Sequence, residues 1–165
     1  MGAGKWKEFV SDEGRFSVLM PGVPSATINE RETADGRITF RSFAVKLPEA
    51  FYQVGYSDFP AASDDQILAG VRDLLSAQKG AQVLSERKIK IAHLQGSEWW
   101  VVQNGVALGI RRAVAIGGRL YQVNMLVPLE RAFKNGRPSL RPEDQTQLFT
   151  SLRSRFFDSF KLRAD

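Results

Sequence analysis

Between residues 83 and 127 the chain runs through four β-rich segments, 83–94, 97–103, 106–116 and 119–127, punctuated by Gln95-Gly96, Asn104-Gly105 and Gly117-Gly118. Asn-Gly and Gly-Gly supply the left-handed φ angles that both central residues of a two-residue hairpin turn require; Gln-Gly is a weaker signal of the same kind. Segments joined this tightly can only be antiparallel neighbours, so the region predicts a four-stranded meander. Trp99-Trp100-Val101-Val102 is apolar on consecutive residues. A strand with one wet face would alternate instead, so this one is buried on both sides, as a central strand is, and a layer must cover each face of the sheet.

The remaining signals fit around that meander. Residues 5–10 and 15–20 read as short strands joined by Asp12-Glu13-Gly14, with Phe16, Val18 and Met20 alternating against Arg15, Ser17 and Leu19. Residues 26–33 and 37–47 form a hairpin about Ala34-Asp35-Gly36, and 50–58 is a further strand closed by Pro60. Ser63 is the N-cap of a helix over 63–79, with Ile67, Leu68, Val71, Leu74 and Leu75 on one face and Gly80 at its end. A Pro- and Arg-containing loop over 128–141 leads to a second helix over 142–157. Strands, helix, strands, helix is an α+β order. The expected fold is a single α/β/α sandwich: a six- to seven-stranded, mainly antiparallel sheet covered by helices 63–79 and 142–157. Residues 5–163 form its one domain, and Met1-Gly2-Ala3-Gly4 reads as an added or linker remnant.

Composition excludes more than it assigns. The absence of cysteine rules out disulfides, thiol nucleophiles and zinc–thiolate sites, and a single histidine argues against a His-rich metal centre. No metal or cofactor is expected. The net charge of +5 favours anionic partners in general but is too small to indicate nucleic acid. No apolar run approaches the roughly 20 residues of a membrane span.

Two end motifs carry a family resemblance. Glu13-Gly14-Arg15-Phe16-Ser17-Val18-Leu19-Met20-Pro21 near the start and Phe156-Phe157-Asp158-Ser159-Phe160 at the end resemble the bacterial members of the PsbP-like fold family. That family includes the extrinsic PsbP proteins of photosystem II and a Ran-binding import factor. The resemblance implies an α/β/α sandwich with a non-enzymatic accessory role in a bacterial protein. No functional residue carries over from it. An exported location, periplasmic or extracellular, is expected, with the cytoplasm as the alternative.

If all three meander turns are two-residue loops, register follows by counting, and His93, Glu98, Arg111 and Asn124 fall in one row on one face. Gln122 shares that face, with the small residues Ala107, Gly109 and Ala113 around it. The row reads first as a structural ion-pair ladder, Glu98 against Arg111. It also reads as the polar floor of a pocket in which Arg111 anchors an anion. A third reading takes His93 and Glu98 as a base and its orienting acid, although no nucleophile accompanies them. Separately, Arg131, Lys134, Arg137 and Arg141 make the 128–141 loop basic, either a solvated loop or an arm for an anionic surface. The leading functional expectation is therefore a non-catalytic binding or accessory module for a protein or anionic surface. The alternatives are a small anionic-ligand carrier built on Arg111 and a minor hydrolase built on His93 and Glu98.

Overall fold

The structure is a computed structural model that describes residues 5–33 and 36–163. Met1–Gly4, Ala34-Asp35 and Ala164-Asp165 lie outside the described residues, and with them part of the expected Ala34-Asp35-Gly36 turn. Seven strands form one antiparallel sheet: β3 (Ser25–Thr33), β4 (Gly36–Lys46), β5 (Phe51–Asp58), β6 (Ala81–Ile91), β7 (Leu94–Gln103), β8 (Ala107–Ile116) and β9 (Arg119–Pro128). Their spatial order is β3-β4-β5-β9-β8-β7-β6, so the meander expected from the turn signals is present and β5 closes onto β9. The Trp99-Trp100-Val101-Val102 run is buried on both faces as expected, but its strand lies second from the sheet edge.

The two faces are covered differently. On one, a small sheet of β1 (Lys7–Ser11), β2 (Phe16–Met20) and β10 (Lys161–Leu162) packs together with helix α3 (Gln147–Phe157). The end motifs meet here. Phe16 pairs with Leu162 and Ser17 with Lys161, and Leu19 N donates to Ser159 Oγ at 2.8 Å. Phe16 is fully buried, with the rings of Phe9, Phe43, Tyr56, Tyr121 and Phe160 around it at 5.9–6.2 Å. β10 had no signal of its own in the sequence, since two residues show no alternation.

The other face carries helix α1 (Asp64–Ala77). Ser63 caps it as expected, and Gln66 completes a reciprocal capping box. Ile67, Val71 and Leu75 are buried against Trp99, Val101, Ala113 and Leu120. Asp64 also accepts hydrogen bonds from Gly118 N at 3.0 Å and Gly117 N at 3.3 Å, which pins the helix start to the β8–β9 turn. The second helix is shorter than the 142–157 expectation. Pro142–Asp144 is one 3-10 turn, and Thr146, whose side chain accepts from Phe149 N, starts α3.

Two of the three meander turns depart from the counted register. The β6–β7 turn lies at Ala92-His93, both with positive φ (49° and 70°), not at Gln95-Gly96. Gly96 lies inside β7 instead. A Cβ there would stand 2.5 Å from the Ala113 carbonyl oxygen and 2.6 Å from Ile91 Cδ1, so this glycine serves close strand packing and no turn. The β7–β8 turn is at Asn104-Gly105 as expected, with Val106 N donating to Gln103 O at 3.0 Å. Val106 itself is then extruded, and Gln103 pairs with Ala107. This bulge shifts β8 by one residue, and a one-residue slip exchanges the faces of every side chain beyond it.

Gly96→Ala is therefore expected to lose about 2 kcal/mol of stability from overpacking against fixed backbone, read as a lower urea midpoint at unchanged slope.

Candidate ligand-binding groove

The bulge decides where each singled-out residue goes. Glu98 lies opposite Arg112 and Arg87, on the face covered by α3, and is 1% exposed. Its Oε2 accepts from Arg112 Nε at 2.7 Å, and its Oε1 accepts from Arg87 Nη2 at 2.8 Å and Trp100 Nε1 at 3.1 Å. Arg112 in turn stacks over the Phe157 ring at 4.7 Å. Burial alone would raise the Glu98 pKa, but the two guanidiniums outweigh it and hold the carboxyl below its usual range. Glu98 does hold an ion-pair ladder, but its cations are Arg112 and Arg87, not Arg111.

His93 leaves the row altogether. It sits exposed in the β6–β7 turn and makes no hydrogen bond with Glu98 among the described residues. The base–acid pair imagined for a hydrolase does not form.

The β8–β9 register is as counted. Arg111 pairs with Asn124 and Ala113 with Gln122, so Arg111, Gln122 and Asn124 do share a face, the one carrying α1. Asn124 pairs onward with Gln53 of β5. α1 covers only part of this face. It packs on Ala113, while Leu126 leans over Gly109, so the small residues admit a helix and a side chain. Beside the helix, over β5 and β9, a groove of about 980 Å³ remains. Gln53, Arg111, Gln122 and Asn124 make its polar floor. Ile67, Val71 and Leu74 of α1 form one wall, and Ile38, Phe40 and Phe59 line the other side. Phe40 can lie flat there because Gly55 has no side chain: a Cβ at Gly55 would stand 2.6 Å from Phe40 Cζ.

Arg111 is half-buried on this floor. Its Nη1 donates to Gln122 Oε1 at 3.1 Å. Among the described residues, no carboxylate pairs with it, and burial alone holds its pKa below the ordinary arginine value. Arg119, gripped by Asp58 at 2.7 Å, is shifted the opposite way, chiefly by that hydrogen bond. Asn124 Nδ2 donates to Gln53 Oε1 at 3.2 Å, while its Oδ1 is buried without a partner among the described residues.

The sequence reading missed Gln53 and the aromatic wall. The signal was there: in β5, Gln53, Gly55 and Ser57 alternate with buried Tyr52, Val54 and Tyr56. Only the β5–β9 pairing, which no turn encodes, brings that polar set beside Asn124 and Gln122.

The basic loop is tied down more closely than an arm would be. Leu129–Ala132 forms a helical turn, α2, and Phe133 is 1% exposed in the main core. Lys134 N donates to Asp144 O, and Arg141 lies 3.4 Å from Glu143. The side chains of Arg131, Lys134, Arg137 and Arg141 remain exposed.

With this geometry fixed, likeness to solved proteins is informative. The chain is similar to the cyanobacterial PsbP protein (CyanoP) from Synechocystis sp. PCC 6803, with a TM-score of 0.57 at 10% identity over 98% of this chain and 94% of that one. The chain has a PsbP-like fold. It is also similar, at a TM-score of 0.44 and 18% identity, to the T6SS immunity protein TplEi of Pseudomonas aeruginosa in complex with "L" peptide, over 77% of this chain and 49% of that one. No family model matches the chain, and none of the curated proteins does. Among the described residues, no three His, Asp or Glu side chains gather to hold a metal, and no helix is long and apolar enough to cross a membrane.

The Glu98 cluster predicts a signed pH dependence. A depressed folded-state pKa contributes stability above the usual glutamate value of 4.5 and loses it as pH falls through the depressed one. Glu98→Gln should therefore be less stable than the parent at pH 7, by on the order of 3 kcal/mol because Arg112 loses its buried counter-charge. The gap should close as urea unfolding is repeated downward from about pH 4.5.

Proposed function

We propose that this domain is a non-catalytic binding module whose groove beside α1 takes a small, partly apolar anion, with Arg111 as its anchor. One observation carries the reading: a guanidinium on the floor of a ligand-sized groove whose only partner among the described residues is a neutral amide. Burying a charge without a counter-charge is costly, and the neighbouring arginines of β8 and β9 have carboxylate partners: Arg112 with Glu98 and Arg119 with Asp58. An incoming anion supplies what Arg111 lacks. The apolar walls supply area to bury, which suits a ligand pocket of this size.

The alternative of a protein or anionic surface bound through the basic loop draws on different residues, so one titration separates the two. Anilinonaphthalene sulfonate joins one anionic group to apolar rings and brightens when sheltered from water. It should bind the protein saturably at one site. Arg111→Met should weaken that binding about tenfold or more, and Arg137→Met should leave it unchanged. Loss of binding in Arg137→Met with Arg111→Met unaffected would transfer the function to the loop.

A further inference from the structure

Which anion the groove takes can be read from the donors that Arg111 has left. Its Nη1 is engaged by Gln122 Oε1 at 3.1 Å. Its Nε and Nη2 make no hydrogen bond among the described residues. Those two nitrogens are the side-on edge of the guanidinium, a planar fork whose spacing matches the two oxygens of one carboxylate. The Gln122 bond fixes the plane of the fork without using that edge.

The charge count around the groove limits the ligand to a single negative charge. Arg111 is the one cation on the floor; the other floor groups are amides. At the rim, the two acids Glu30 and Asp73 stand with one cation, Arg31, and Glu30 is itself bonded to Arg37 at 3.2 Å. A phosphate monoester brings roughly −1.5 to −2 at neutral pH and three acceptor oxygens. One fork does not satisfy that set, and the rim acids oppose the second charge. A carboxylate brings one charge and two oxygens.

The walls describe the rest of the molecule. Leu74 faces the groove yet is 56% exposed, an apolar side chain on α1 that the core does not use. With Ile38, Phe40 and Phe59 across from it, an apolar body extending from the head group is buried on both sides.

We infer that the ligand is a monocarboxylic acid with an apolar chain, its carboxylate held side-on by Nε and Nη2 of Arg111 and its chain lying between α1 and the β3–β4 hairpin. This rests on the groove being the anion-binding site.

The test is calorimetric titration of the full chain with sodium octanoate, octyl phosphate and octanol at one pH and ionic strength, with the Arg111 Nε–Hε signal followed by NMR. Octanoate is expected to bind at least about tenfold more tightly than either of the others and to shift that signal. Arg111→Lys keeps the charge but lacks the fork, and should lose about tenfold in octanoate affinity. Octyl phosphate binding as tightly as octanoate would overturn the carboxylate assignment and leave the anion-binding reading intact. Octanol binding as tightly would overturn the head-group contact. Undiminished octanoate binding by Arg111→Lys would overturn the fork. Failure of both anions to bind would overturn the anion-binding reading itself.

Discussion

One extra residue governs the arrangement of charge in this protein. Val106 follows the Asn104-Gly105 turn but does not enter the ladder. Its N–H closes the turn onto Gln103 O, its carbonyl accepts from Leu129 N at the start of α2, and its side chain stands 66% exposed. Held from both sides, the bulge turns β8 over relative to β7. Arg112 then meets Glu98 inside the core, and Arg111, its immediate neighbour, is delivered to the opposite face without a carboxylate. Were the turn followed by a regular ladder, the two arginines would exchange roles. Arg111 would then sit inside the core against Glu98, and Arg112 would stand on the groove face.

The coverage of the sheet makes that delivery consequential. The face holding Glu98 is closed by α3 and by the β1-β2-β10 sheet, in which the two end motifs of the chain are hydrogen-bonded to each other around Phe16. A charge there needs a partner within the protein, and Glu98 has two. Among the described residues, the one helix on the opposite face is α1, anchored by Asp64 at the β8–β9 turn and buried along one stripe. One helix is too narrow for a sheet of seven strands. The uncovered strip over β5 and β9 is the groove, so the asymmetry of the two layers, more than any single side chain, creates the space for a ligand.

Much of this was legible in the sequence because it is written in local periodicity. The Trp99–Val102 run required layers on both faces, the paired apolar residues of α1 and β2 located the two cores, and Ser63 marked its helix start. The β8–β9 register was also legible, because Gly117 and Gly118 both take the left-handed φ their turn demands. What misled were places where a residue's usual role was displaced. Gly96 looked like a turn glycine and is a packing glycine. Ala92 and His93 adopt left-handed φ without being glycine; histidine visits that region more readily than most residues, alanine less so. The Val106 bulge has no sequence signature; one of the two hydrogen bonds that hold it comes from Leu129, distant in the chain. Long-range pairing likewise concealed β10 and the contribution of Gln53. The candidate site was thus half visible: Arg111, Gln122 and Asn124 were placed together, while Glu98 and His93 were assigned to them wrongly.

Glu98 is coupled to Arg112 and uncoupled from Arg111, and a pair of double-mutant cycles measures this directly. Glu98→Ala, Arg112→Met and Arg111→Met would be combined pairwise and their unfolding free energies compared. A coupling of more than about 1 kcal/mol between Glu98 and Arg112, with Glu98 and Arg111 additive to within about 0.5 kcal/mol, is the predicted result. Strong coupling of Glu98 to Arg111, with Arg112 additive, would mean that the bulge is absent and that Arg111 already has its counter-charge.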